Sequence, residues 1–231
     1  LTFPQGFLRE LPIQFGLALN EEPGTDDWSS AGFIEVIPQF RNRMGSYLSA
    51  TYGKAHETNW YGEPVEYTAR SFNWNLWGPL FMQHVELGCW YDYEYNYARD
   101  FAAYRGSNWC SFNYSIIPSL SAGFNVNQWI EWDTTNTLIQ MTSLFRPNVM
   151  IRFNAYMTFR MTVEFVMTTP QTDFGETELA TVRTGALFTW NFKPKSWLYI
   201  ALNDYQAQGD DGALEPQYTI AAIKAKYLFY F

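Results

Sequence analysis

The sequence predicts an all-β chain, a transmembrane antiparallel up-and-down β-barrel of about 12 strands that occupies 1–231 as a single domain. Three observations carry this expectation. Apolar and polar residues alternate with period two over most of the chain, which is the signature of strands with two unlike faces. Breaks between the alternating segments come as short and long connections in turn, so that the two kinds gather at opposite ends of a meander. Finally, aromatic residues reach 19% and charged residues only 16%, an imbalance that a water-covered exterior does not explain.

The elements follow in order. Strands are expected over 11–20, 31–40, 44–54, 65–77, 82–97, 107–116, 120–131, 136–145, 149–168, 179–192, 197–204 and 217–231. In the first, Ile13, Phe15, Leu17 and Leu19 oppose Gln14, Gly16 and Asn20. In the fourth, Phe72, Trp74 and Leu76 oppose Ser71, Asn73 and Asn75. The fifth sets Val85, Leu87, Cys89, Tyr91, Tyr93 and Tyr95 against His84, Glu86, Gly88, Trp90, Asp92 and Glu94. In the seventh, Leu120, Ala122, Phe124 and Val126 alternate with Ser121, Gly123, Asn125 and Asn127. In the tenth, Val182, Ala186, Phe188, Trp190 and Phe192 oppose Thr181, Arg183, Thr189 and Asn191. The longest run is Val149 to Met167, with Val149, Ile151, Phe153, Phe159 and Phe165 on one parity and Arg152, Arg160 and Glu164 on the other. As one strand it would span roughly 60 Å at about 3.3 Å per residue, enough to project beyond a bilayer. Short turns are expected at Arg41-Asn42-Arg43, Gly78-Pro79, Ile117-Pro118-Ser119, Arg146-Pro147-Asn148 and Lys193-Pro194-Lys195. Longer polar connections are expected at 21–30, 54–64, 98–106, 132–136, 169–178 and 204–216.

Composition also removes function classes. A net charge of −8 disfavours nucleic acid as a partner, because phosphate recognition needs clustered Lys and Arg. The longest uninterrupted apolar run is Trp197 to Leu202, far short of the about 20 residues of a spanning helix. His56 and His84 are the sole histidines, so a multi-histidine metal centre is unavailable, and no cofactor motif is present. Leu1 stands where Met would, which reads as a processed or truncated start with an upstream domain lying outside the sequence.

Alternation alone also describes a soluble barrel with apolar residues inward. Three features favour lipid outside. The polar parity is built from Asn, Ser, Thr and Gly rather than Lys and Glu. Tyr and Trp cluster near strand ends, as at Tyr91 to Tyr97 and at Trp129 and Trp132, where rings suit a membrane–water boundary. And Ile223, Ala225, Tyr227, Phe229 and Phe231 keep one apolar face to the final residue.

That last strand resembles the assembly signal of bacterial outer-membrane β-barrel proteins, in which alternating apolar residues end on a terminal Phe. The segment Leu187 to Ile200, followed by a charged loop and the last strand, is also similar to the end of a barrel family of Bacteroidota-like bacteria. Its members join a carbohydrate-binding-type periplasmic domain to a C-terminal barrel; no such domain lies within 1–231. The resemblance implies residence in the bacterial outer membrane, contact with membrane lipid and lipopolysaccharide, and recognition of the C-terminal strand by the barrel-assembly machinery. A partner protein or an oligomer is open.

On this reading Val149, Ile151, Phe153, Phe159, Phe165, Tyr227, Phe229 and Phe231 face lipid. Glu35, Glu86, Asp92, Glu94, Arg152, Arg160, Glu164, Arg183, Lys224 and Lys226 line the pore. The acidic residues fall on early strands and the basic ones on late strands, which would set a transverse field across a narrow lumen. The alternative is that these charges pair and fill it. Trp90, Trp109, Tyr156, Trp197 and Tyr199 share the inward parity, as stacking surfaces or as filling. Acidic loops gather Glu21, Glu22, Asp26 and Asp27, and Asp204, Asp210, Asp211 and Glu215, without the spacing of a calcium loop.

The expected function is passive passage of small polar solutes. The alternatives are an accessory barrel with a plugged lumen that binds a partner, and a loop-borne hydrolase built on His84 with Glu86 or His56 with Glu57. No catalytic motif accompanies either histidine. Cys89 and Cys110 fall on the apolar parity of neighbouring strands, where a cross-strand disulfide is conceivable and two free thiols are the simpler state.

Overall fold

A computed structural model describes the chain apart from residues 22–26, 81, 82, 172 and 229–231. The expected elements at Phe229 and Phe231 therefore lie outside the described residues. Fourteen strands form: β1 (Leu8–Glu10), β2 (Ile13–Glu21), β3 (Trp28–Val36), β4 (Gln39–Phe40), β5 (Gly45–Thr58), β6 (Pro64–Leu80), β7 (Gln83–Asn96), β8 (Phe101–Ile117), β9 (Leu120–Trp132), β10 (Leu138–Asn154), β11 (Met157–Pro170), β12 (Glu178–Lys193), β13 (Ser196–Gln208) and β14 (Leu214–Lys226). A 3₁₀ turn, Phe174–Glu176, lies between β11 and β12, capped by the Asp173 carboxylate, which accepts from the Gly175 N–H. Hydrogen bonds link the strands in the order β1-β4-β5-β6-β7-β8-β9-β10-β11-β12-β13-β14, with β2 on β3 and β3 on β5. From β2 to β7 and from β11 to β14 neighbouring strands pair antiparallel, and among the described residues the path ends at β14. The described residues thus form an all-β antiparallel meander with twelve long strands and two short ones.

Two compact units form, one of Leu1–Cys110, Gln128–Met141 and Pro170–Thr172, the other of Ser111–Asn127, Thr142–Thr169 and Asp173–Phe231. In the first, register aligns residues of like parity into rows across the strands. Phe15, Ile34, Ala50, Phe72 and Tyr91 form one row, and Ile13, Val36, Leu48, Trp74 and Cys89 the next on the same face. Between them on the opposite face runs Gln14, Glu35, Ser49, Asn73 and Trp90. The second unit repeats the arrangement. Phe159, Phe188, Ile200 and Ile223 make an apolar row, as do Met161, Ala186, Leu202 and Ala221. The rows Thr158, Thr189, Tyr199, Lys224 and Glu164, Arg183, Tyr205, Tyr218 occupy the other face. Side chains alternate across a pleated strand, so strict register converts a period-two sequence into one apolar and one polar face.

The apolar face is uncovered. Phe15, Leu17 and Ile223 are 83%, 85% and 74% exposed, and Phe153 is 58% exposed. Val149, Ile151, Phe159 and Phe165 are partly exposed. Among the described residues the buried hydrophobic side chains are only Val85, Tyr95, Ala103 and Met141, against buried Ser46, Asn96, Ser107, Thr169 and Ser196. Among the described residues no sheet or helix layer covers the apolar rows within either unit, in contrast to the packed layers of a water-soluble domain.

Several boundaries differ from the sequence expectation. The run Val149 to Met167 is not one strand: Ala155 and Tyr156 form a turn between β10 and β11. The contacts Phe145–Phe165, Arg146–Glu164 and Met150–Arg160 are all symmetric about Ala155. A hairpin centred on one residue leaves odd positions on the same face before and after it, so the alternation passes through the turn unbroken. Conversely, Arg146-Pro147-Asn148 lies inside β10 rather than in a turn. Gly78-Pro79 lies inside β6, where Gly78 takes φ 132° close to the backbone of Met44 and Arg43. Three long connections are shorter than expected, at 59–63, 97–100 and 209–213, because β5, β8 and β13 extend into them, while the one at 133–137 keeps its expected length one position later. Short turns at 118–119 and 194–195 fall where expected, and Lys195 has φ 59°. The N-terminal β1 is an addition, whereas its partner β4 is the end of the expected 31–40 strand, set off from β3 at 37–38; Arg41 ties this region together, its guanidinium donating to the carbonyls of Gly6 (3.0 Å) and Phe3.

Candidate functional site on the polar face

In the first unit the polar face is set by β3, β5, β6, β7 and β8. Glu35 stands in register with Ser49 and accepts a hydrogen bond from Tyr47 Oη at 2.7 Å. Glu86 pairs in register with Trp77 and accepts from Asn75 Nδ2 at 3.5 Å, while Asn75 Oδ1 is buried without a partner. Asp92 stands opposite Ser71. Glu94 is not free: Arg105 Nε lies 3.1 Å from it, and the same guanidinium sits 6.0 Å from the Trp90 ring. Arg99 holds Glu131 at 2.6 Å. Tryptophans also occupy this face. Trp90 meets Trp129 edge-on at 6.1 Å, and Trp109 lies over Gly88, where a Cβ would come within 2.5 Å of the indole.

In the second unit the polar face is basic. Arg183 stands beside Glu164 in register and over the Tyr205 ring at 5.1 Å. Lys226 lies over Trp197 at 5.5 Å, and Lys224 is in register with Tyr199. Glu164 accepts from Arg146 Nε at 2.8 Å, with a second contact from the same guanidinium. Arg160 reaches Met150 Sδ at 4.0 Å, and Arg152 reaches the Pro118 carbonyl at 3.5 Å beside the 118–119 turn. Tyr156 departs from the inward expectation, because it sits in the 155–156 turn and is 64% exposed. Tyr227 belongs to the apolar side and stacks on Phe192 at 6.2 Å.

Of the expected lining residues, Glu35, Glu86, Asp92, Arg160, Glu164, Arg183, Lys224 and Lys226 thus fall on the polar face of their own unit. The sequence reading missed Arg105 and Arg146, the counter-charges of Glu94 and Glu164. Arg105 fell in an expected loop and Arg146 in an expected turn, so neither was given a face. Their discovery also changes the electrostatics: carboxylates in both units are neutralised by a near neighbour on the same face, which removes charge from the expected transverse field.

Comparison with family models, with curated proteins and with solved structures returns no match. The site must be read from its own residues. His56 Nε2 is 3.8 Å from Glu66, not Glu57, and Ser29 Oγ engages the His56 backbone rather than its ring, at 2.9 Å and 3.3 Å. His84 is exposed beside Pro79. Among the described residues no group of three or more metal-ligating side chains comes together, and Asp204 lies on β13 accepting from Thr219 and Gln206. Cys89 and Cys110 are free thiols.

Proposed function

We propose that this chain is a transmembrane β-barrel of a bacterial outer membrane whose polar face lines a path for small polar solutes. The observation that carries the reading is the inverted distribution of polarity: apolar rows stand uncovered along whole strands, while buried positions include Ser46, Asn96, Ser107, Thr169 and Ser196. In water such rows would drive aggregation; in lipid they are the stable exterior. Bilayer hydrocarbon offers no partner for backbone N–H and C=O groups, so a sheet that spans it leaves no strand edge open. An even number of long strands, twelve among the described residues, suits the closure of an up-and-down meander. A 12-strand cylinder is wider than the eight-stranded type that side chains fill, and its lining here carries Asn, Ser and paired charges that water can solvate.

Reconstitution in a planar bilayer tests the proposal. Discrete conductance steps are expected, and replacing Arg152, Arg160 and Arg183 by Gln together shifts ion selectivity towards cations. Silence from protein that is folded and inserted would overturn the channel.

A further inference from the structure

We infer that Arg70, planted on the apolar face of β6, is a binding site for the anionic phosphate of a lipid headgroup; the inference rests on the membrane reading above. Arg70 shares its row with Leu17, Gly32, Tyr52 and Tyr93, the same face that carries Phe72, Trp74 and Leu76 further along β6. It is exposed, and among the described residues no carboxylate pairs with it. The nearest carboxylate on that face along the strand, Glu66, is taken by Lys54 at 2.6 Å.

Two tyrosines hold the guanidinium in place, and a third supports one of them. It lies 6.0 Å from the Tyr52 ring, which is itself 65% exposed. One of its nitrogens donates to Tyr104 Oη at 3.2 Å, and Tyr104 packs edge-on against Tyr93 at 5.0 Å. That single bond leaves the rest of the planar donor fork free, in the geometry that accepts two phosphate oxygens at once. The Tyr104 hydroxyl accepts from Arg70, so its own proton remains available to a third oxygen.

The place along the strands fits a headgroup. From this row one step inward, the apolar face reads Phe15, Ile34, Ala50, Phe72 and Tyr91; one step outward it reads Leu19, Ser30, Lys54 and Thr68. On β3, β5 and β6, Arg70 therefore marks the line where hydrocarbon-compatible side chains give way to polar and charged ones. Tyrosines flank it as they flank membrane–water boundaries. An unpaired arginine in hydrocarbon is strongly disfavoured, and at the boundary an anionic phosphate supplies the missing partner.

The test is lipid retention by native mass spectrometry after reconstitution of the whole chain in phosphatidylcholine vesicles with and without phosphatidylglycerol. Wild-type protein is expected to retain phosphatidylglycerol over phosphatidylcholine, Arg70→Ala to lose that preference by about tenfold, and Arg70→Lys to keep part of it. Insertion with equal retention by wild type and Arg70→Ala would overturn the inference alone. Displacement of the lipid by millimolar inorganic phosphate would reassign the site to a free anion and overturn it as well. Failure of wild-type protein to insert in any vesicle would remove the membrane reading beneath it.

Discussion

Leu202 gives the sharpest prediction. It sits midway along β13, in the apolar row with Met161, Ala186 and Ala221, and is 42% exposed in the chain alone. Its neighbour Asn203 occupies the polar face opposite Gly185 and Ile220. If the apolar face meets hydrocarbon, Leu202→Lys places a charge near the bilayer midplane and costs about 2–4 kcal/mol of folding free energy. That corresponds to roughly a 30- to 1,000-fold loss in the folding equilibrium. If the same face meets water, the substitution removes an exposed leucine and changes stability by about 0.5 kcal/mol or less. Asn203→Lys stays within that smaller range on the membrane reading. The assay is a denaturant titration of folding into phosphatidylcholine vesicles, followed by tryptophan fluorescence. Equal midpoints for the two variants, or a larger loss at Asn203, would refute the assignment of faces.

Three further outcomes are expected. Arg146→Ala leaves the Glu164 carboxylate, whose side chain is 16% exposed, without its partner and should cost about 1–3 kcal/mol in the same titration, with Glu164→Gln in the same chain recovering part of the loss. Gly88→Ala forces a Cβ to within 2.4 Å of the Trp74 carbonyl and 2.5 Å of the Trp109 ring, so the strands must part; about 1–3 kcal/mol of destabilisation and a shift of tryptophan emission are expected. In the 133–137 loop, the Thr135 hydroxyl at 2.7 Å and the backbone N–H of Thr137 at 2.8 Å hold the Asp133 carboxyl below its ordinary range. A depressed carboxylate pKa contributes stability that is present above the unfolded value and lost as pH falls through the folded one, so Asp133→Asn should be less stable than wild type at neutral pH, the two profiles converging below about pH 4 with a flatter acid limb for the variant.

The two faces were legible because alternation survives wherever register is strict. Phe72, Trp74 and Leu76 reach the same face in space that they share in sequence. The count of twelve long strands was legible for the same reason. What the sequence hid was where one of them turns. Ala155 and Tyr156 carry no glycine, and parity is conserved across them, so period two cannot see the hairpin. Pro147 misled in the opposite direction, since a proline signals a turn locally while β10 accommodates it within a strand. The ion pairs were hidden by this misplacement: a residue assigned to a turn has no face, so Arg146 could not be matched to Glu164. Glu94 and Arg105 were separated by an overlong loop for the same reason. Arg70 was passed over because an isolated cation on an apolar parity reads as noise until its row of tyrosines is visible.

The most direct measurement of the central claim is a nitroxide scan along β14 in vesicles. Labels placed singly at positions 220 to 225 are read for collision with oxygen, which concentrates in hydrocarbon, and with a water-soluble nickel chelate. Period two is expected, with oxygen favoured at Ala221, Ile223 and Ala225 and the chelate favoured at Ile220, Ala222 and Lys224. Reversed phases, or chelate access at every position, would contradict it.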